Sequence, residues 1–97
     1  MGDTGDYRKL YRRGGGRWYV QITVPVLLRQ RLGRKLIQLS LETAGVSEAR
    51  DRRWPYIHGW RKAFEAALAD PELTRAKVEE IAAAEVERQK ALERGLD

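Results

Sequence analysis

A set of side chains within the first forty residues has the types needed to grip a polyanion and read it. Lys9, Arg13, Arg17 and Arg34 are cations suited to phosphates, while Tyr11, Tyr19, Gln21, Thr23, Gln38 and Ser40 add rings, amides and hydroxyls that can exchange hydrogen bonds with base edges. Their spacing matters as much as their type. Tyr19, Gln21 and Thr23 alternate with Trp18, Val20, Ile22 and Val24, so in an extended chain the two sets point to opposite faces. Little else in the chain suggests chemistry. His58 is the one histidine, set among Tyr56, Ile57 and Trp60, a setting that reads as helix surface or core rather than catalysis. No G-x-S-x-G, H-E-x-x-H or Walker A pattern occurs, and no His, Asp and Glu residues stand at metal-ligand spacing, so neither a cofactor nor a metal is expected. Gly14, Gly15 and Gly16 read as a hairpin loop rather than a phosphate cradle.

Charge is concentrated where those side chains lie. The 97 residues carry a formal charge of +5, but residues 1–41 hold nine Lys/Arg against two Asp/Glu, whereas residues 70–97 hold five against eight. The positive field therefore belongs to the first part of the chain. A hydrophobic fraction of 42% with 34% charged residues fits one small domain and excludes a multidomain enzyme. With no cysteine, neither disulfides nor a thiolate zinc site can brace the fold, and a reducing compartment is expected. The longest uncharged stretch, residues 18–28, is well short of the ~20 apolar residues of a spanning helix, and the amino terminus lacks the apolar core of a signal peptide. These features read as a cytoplasmic protein with no membrane contact.

The elements that must position the polar set follow from period and punctuation. Residues 1–6 read as a disordered tail. Residues 8–13 and 17–24 flank the three glycines as a β-hairpin, which sets Arg13 across from Arg17, Arg12 from Trp18, Tyr11 from Tyr19 and Leu10 from Val20. Pro25 ends the second strand. Residues 26–33 are expected as a short basic connection with room for one helical turn, and residues 34–41 as a third antiparallel strand with Ile37, Leu39 and Leu41 on the apolar side and Leu36 breaking the polar one. Such a sheet needs a covering layer. Ser47 looks like the N-cap of a helix whose apolar residues run from Ala49 to Leu68, with a kink or break expected near Arg53 or Trp54 because of Pro55. Trp18, Trp54 and Trp60 fall at apolar positions and are expected in the core. Asp70 and Pro71 close that helix, and Thr74 caps a last one to about Arg94, whose weak stripe of Val78, Ile81, Ala82, Val86 and Leu92 predicts partial packing. The fold class is α+β, a three-stranded antiparallel sheet packed against one or two C-terminal helices, with residues 7–69 as the sheet-plus-helix domain and residues 70–97 as a C-terminal helix.

One ordered string of short motifs extends this reading. Tyr11-Arg12-Arg13-Gly14, Trp18-Tyr19-Val20, Val24-Pro25 with Leu28-Arg29, Leu32-Gly33-Arg34-Lys35, Ser40-Leu41 with Thr43, and Glu48-Ala49-Arg50 together resemble the amino-terminal region of phage-type integrases of the tyrosine recombinase family. The similarity runs from about Tyr7 to Trp54. It implies a three-stranded sheet on a helix that binds accessory arm-type sites on double-stranded DNA. Two positions depart from the family's pattern: Gln21-Ile22-Thr23 replaces a basic run, and Glu42 stands where glycine is frequent. Nothing matches the family's catalytic domain, so the chain is expected to bind DNA without recombining it, with the final helix leading toward core-binding and catalytic domains that lie elsewhere. On this reading the sheet enters the major groove, and any oligomer forms on DNA or through those other domains. Two rivals remain open: a protein-interaction module using the C-terminal helices, and an RNA-binding module in which Tyr11 and Tyr19 stack on unpaired bases.

Overall fold

The computed structural model describes residues 9–12 and 16–95, with only the backbone described for Lys9 and Arg12. Expectations for the tail at residues 1–6, for the start of the first strand and for Arg13, Gly14 and Gly15 lie outside these residues. In chain order the elements are β1 (Lys9–Arg12), β2 (Trp18–Thr23), α1 (Val26–Leu32), β3 (Leu36–Ser40), α2 (Val46–Ala69) and α3 (Arg75–Gly95).

The strands form one antiparallel sheet in the order β1-β2-β3. Leu10 pairs with Val20, Tyr11 with Tyr19 and Arg12 with Trp18, the register that counting outward from the three glycines predicts. On the other side of β2, Val20 faces Leu39, Gln21 faces Gln38 and Ile22 faces Ile37. Because side chains alternate, Val20, Ile22 and Ile37 share the inner face and are buried. The ladder continues past β3: Leu41 N donates to Trp18 O and Trp18 N to Thr43 O, both at 2.9 Å, so the chain stays stitched to β2 until it turns into α2.

Residues 26–33 correct the expectation of a single helical turn. Here α1 is seven residues long, entered from Pro25 and ended by Gly33 at φ 70°, whose amide turns back onto Arg29 O at 2.8 Å. The helix forms because Leu28 and Leu32, four apart, are both buried beneath the basic side chains between them.

Two expectations for α2 are also corrected. Ser47 is not the cap: α2 begins at Val46 with Gly45 before it, and the hydroxyl of Thr43 organises the entry by accepting from Gly45 N at 3.1 Å and donating to the Glu48 carboxylate. Of the kink or break expected at Pro55, the break does not occur: the helix runs unbroken from Val46 to Ala69 with the ring buried. One missing backbone bond costs less here than separating α2 from the surfaces on its two sides. Ile57, Ala63, Phe64 and Ala67 of α2 are buried, and Val78 and Ala82 of α3 join the same core. Trp18, Trp54 and Trp60 pack partly buried against it, as their apolar positions predicted.

The packing of α3 along α2 depends on one glycine. A Cβ on Gly59 would stand 2.4 Å from Val86 Cγ2 and 2.9 Å from Val86 N, so only glycine lets the two backbones approach this closely. The turn between the helices is where expected: Ala69 is the last residue of α2, and Thr74 Oγ1 accepts from Lys77 N at 3.2 Å to cap α3. Among the described residues no helix is long and apolar enough to cross a membrane.

Candidate nucleic-acid interface

Pleating and register carry the polar side chains of the sheet to the face away from α2. Across its three strands this outer face has three rows: Tyr11, Tyr19 and Ser40; Lys9, Gln21 and Gln38; and, on β2 and β3 alone, Thr23 and Leu36. The sequence-derived set is thus gathered on one surface wherever it is described. For Lys9 this rests on its backbone register, and Arg13 lies outside the described residues.

Each row has its own chemistry. Tyr11 and Tyr19 stack with ring centroids 5.6 Å apart and planes at 24°. The Tyr11 hydroxyl is enclosed and has no hydrogen-bond partner among the described residues, so this residue offers the face its ring rather than a polar tip. In the middle row Gln38 Nε2 donates to Gln21 Oε1 at 3.4 Å, and the two amides face each other across the strands. Ser40 Oγ accepts from Glu42 N at 3.1 Å, which ties the end of β3 to the loop behind it. Thr23 is half-buried beside Leu36, which is 37% exposed.

Cations frame this surface. Arg17 and Arg34 are exposed at the parity of the outer face, and Arg34 Nε donates to Leu36 O at 3.2 Å. Among the described residues, acidic side chains begin only at Glu42. Glu42 itself takes φ 56°, the left-handed conformation that glycine adopts freely, at the corner where β3 leaves the sheet.

Other basic residues of the same stretch serve the fold instead. Arg29 Nε donates to Val24 O at 2.9 Å, and Arg31 donates to Ala67 O, Asp70 O and Leu73 O at 2.8, 3.0 and 2.9 Å. Arg52 Nη1, on α2, reaches Leu41 O at 3.0 Å and Glu42 O at 3.1 Å. Arg29 and Arg31 belong to the positive field of residues 1–41, but carbonyls hold them, a partnership that a count of charges does not show. The lone histidine is exposed and stacks on Trp54 at 5.7 Å, while Arg53 lies over the same indole at 4.7 Å.

Away from the sheet's outer face, a cleft of about 380 Å³ lies between the end of β2 and α2, lined by Ile22, Pro25, Ile57, Phe64 and Leu68 among others. Val26 and Leu27 on α1 are 71% and 80% exposed. By contrast Val78, Ala82 and Val86 of α3 are buried, so the apolar stripe of that helix serves internal packing, with Leu92 left exposed.

No curated protein and no solved structure matches the chain. A family described as "Domain of unknown function (DUF6538)" matches residues 9–69, a span that opens on the first residue of β1 and closes on the last residue of α2. The sheet, its outer face and the long helix behind it are therefore the family's shared unit, and the chain belongs to the DUF6538 family.

Proposed function

We propose that this chain is a double-stranded DNA-binding module that lays the outer face of its sheet in the major groove. The observation that carries this reading is the separation of the two faces: the inner one is apolar and buried, and the outer one sets amides, hydroxyls and rings among exposed cations with no acidic side chain among the described residues before Glu42. Cations at the rim suit phosphates on either side of a groove, and central amides suit base edges. A sheet of this width fits the major groove, which is ~12 Å wide.

The ordered motifs from Tyr11 to Arg50 support a finer version, in which the module serves a phage-type integrase by holding accessory arm sites while chemistry proceeds on other domains. Lys9, Arg13, Arg17 and Arg34 then sit on phosphates, and Tyr19, Gln21, Thr23 and Gln38 lie toward the bases. A cytoplasmic location and a reducing environment suit a cysteine-free module with this role.

Fluorescence anisotropy of a random-sequence duplex, titrated at several salt concentrations, tests the reading. Binding is expected to weaken with salt, with a slope of log K against log salt of about 0.9 per neutralised phosphate, and the slope should shrink when Arg13 and Arg17 are both changed to Ala. A slope that the double variant leaves untouched removes the sheet face as the site. Absence of binding even at low salt overturns the DNA reading and shifts attention to the exposed Val26 and Leu27 of α1. Tighter binding to single-stranded RNA than to the duplex moves the stacked tyrosines to the centre of the account.

A further inference from the structure

Resting on the DNA-binding reading, we infer that the centre of the outer face recognises an adenine, with a thymine methyl one or two base pairs away. The inference starts from the two facing amides. Gln21 lies on the middle strand and Gln38 directly opposite it on β3, with another polar row on one side and Thr23 with Leu36 on the other. The bonds Val24 N to Lys35 O and Leu41 N to Trp18 O place the hydrogen-bonded pairs of this ladder at 24/35 and 18/41. By alternation, Gln21 and Gln38 form a non-hydrogen-bonded pair, the kind whose side chains stand closest. Their amides meet at 3.4 Å, with Gln38 donating to Gln21.

That contact orients both groups and leaves a defined remainder. Gln38 keeps its carbonyl oxygen and one N–H, and Gln21 keeps both N–H groups. An acceptor beside donors is therefore presented at the middle of the face, the part of a sheet that reaches deepest into a groove. Adenine is the base whose major-groove edge offers the complement, an N6 donor beside the N7 acceptor. Guanine shows two acceptors there, which the remaining N–H groups can meet, but it offers no donor to the Gln38 oxygen, which would then lie unpaired in the groove. Cytosine and thymine each satisfy only one half of the set.

The next row adds an apolar element. Thr23 and Leu36 lie two residues along the strands from the amides, roughly 6.7 Å, or about two base-pair steps. Leu36 disrupts the polar pattern of β3 and is partly exposed on the outer face. An exposed leucine beside a threonine methyl fits the thymine 5-methyl, the one apolar group a base pair shows in the major groove.

The test is selection of bound duplexes from a random pool by the full chain, followed by atom-level substitution in the enriched site. Enrichment of an A·T pair whose replacement by 7-deazaadenine weakens binding about tenfold, a loss absent in Gln38→Ala, supports the inference. A smaller loss on replacing a neighbouring thymine by uracil, absent in Leu36→Ala, supports its second half. An enriched site centred on G·C, or one insensitive to 7-deazaadenine throughout, overturns the inference and leaves DNA binding standing. No enrichment of any duplex overturns the proposed function with it. Gln38 and Leu36 are exposed, and circular dichroism of both variants should match the parent chain.

Discussion

Along α3 the charges answer one another on the same helix: Arg75 sits 3.3 Å from Glu79, Lys77 3.1 Å from Glu80, Arg88 3.3 Å from Glu85 and Lys90 3.7 Å from Glu87. Among the described residues the outer face of the sheet has no such answer, since acidic residues there begin at Glu42. Between these extremes stands α1, whose arginines are bound to backbone carbonyls. A net charge of +5 hides all three situations. What distinguishes a candidate ligand surface is cationic charge that the fold has not already matched, and here that points to Arg17, and to Arg34 beyond the one bond its Nε makes to Leu36 O, rather than to Arg29, Arg31 or Arg52. Exposed ion pairs such as those of α3 contribute little each, so the contrast concerns available charge more than stability.

The comparison can be broken most severely through the helical layer. Gly59→Ala forces a methyl into the Val86 backbone, and thermal unfolding is expected to show a loss of about 3 kcal/mol, where an ordinary helical glycine gains from the same change. Next comes a paired test on two arginines. Arg31→Ala removes three bonds to carbonyls and should cost roughly 2 kcal/mol of stability, whereas Arg17→Ala should leave the melting temperature in place and lower the DNA salt slope by about one. If both variants behaved alike in melting and in binding, the division between structural and available cations would be wrong.

Smaller effects sharpen the boundary between the two regions. Glu42→Gly relieves a left-handed backbone at the sheet corner and removes the acidic side chain nearest β3; a stability gain of about 0.5–1 kcal/mol is expected, with tighter DNA binding in the same preparation. Least of all, Lys90→Ala should cost about 0.5 kcal/mol through the loss of an ammonium 4.8 Å from the Tyr56 ring. The hydrogen bond with Tyr56, more than the nearby Glu87, holds the Lys90 ammonium above its usual value of 10.5. Its contribution is therefore fully present at neutral pH and is lost only as pH rises past that value through the folded-state pKa. A melting difference between Lys90→Ala and the parent chain that persisted at still higher pH would show the contact to be packing rather than charge.

How much of this was legible in the sequence depends on the range of the interaction. The pairings of Leu10 with Val20 and Tyr11 with Tyr19 follow from a local count around three glycines, and the outer face follows from alternation. The cap at Thr74 and the end of α2 before Asp70 are likewise local signals. The length of α1 was obscured because Arg29 and Arg31 surround Leu28 and Leu32, so composition spoke louder than the spacing of four that marks a helix. Pro55 misled for the opposite reason: a local penalty was outweighed by packing that no local window contains. The carbonyls that hold Arg31 belong to Ala67, Asp70 and Leu73, and the neighbour that demands glycine at position 59 is Val86. Neither partnership leaves a trace in periodicity. For Glu42 there was a signal, the departure from glycine at a corner, and its physical meaning is the positive φ.

The two arginines of α1 hold different parts of the fold, Arg29 the carbonyl of Val24 just past β2 and Arg31 those of the turn that joins α2 to α3. A helix of seven residues thereby acts as a crosspiece between the sheet and the point where α3 departs. One short helix thus ties the residue after β2 to the carbonyls at the α2–α3 turn, so the placement of α1 links the end of the sheet to the base of α3 through two arginines.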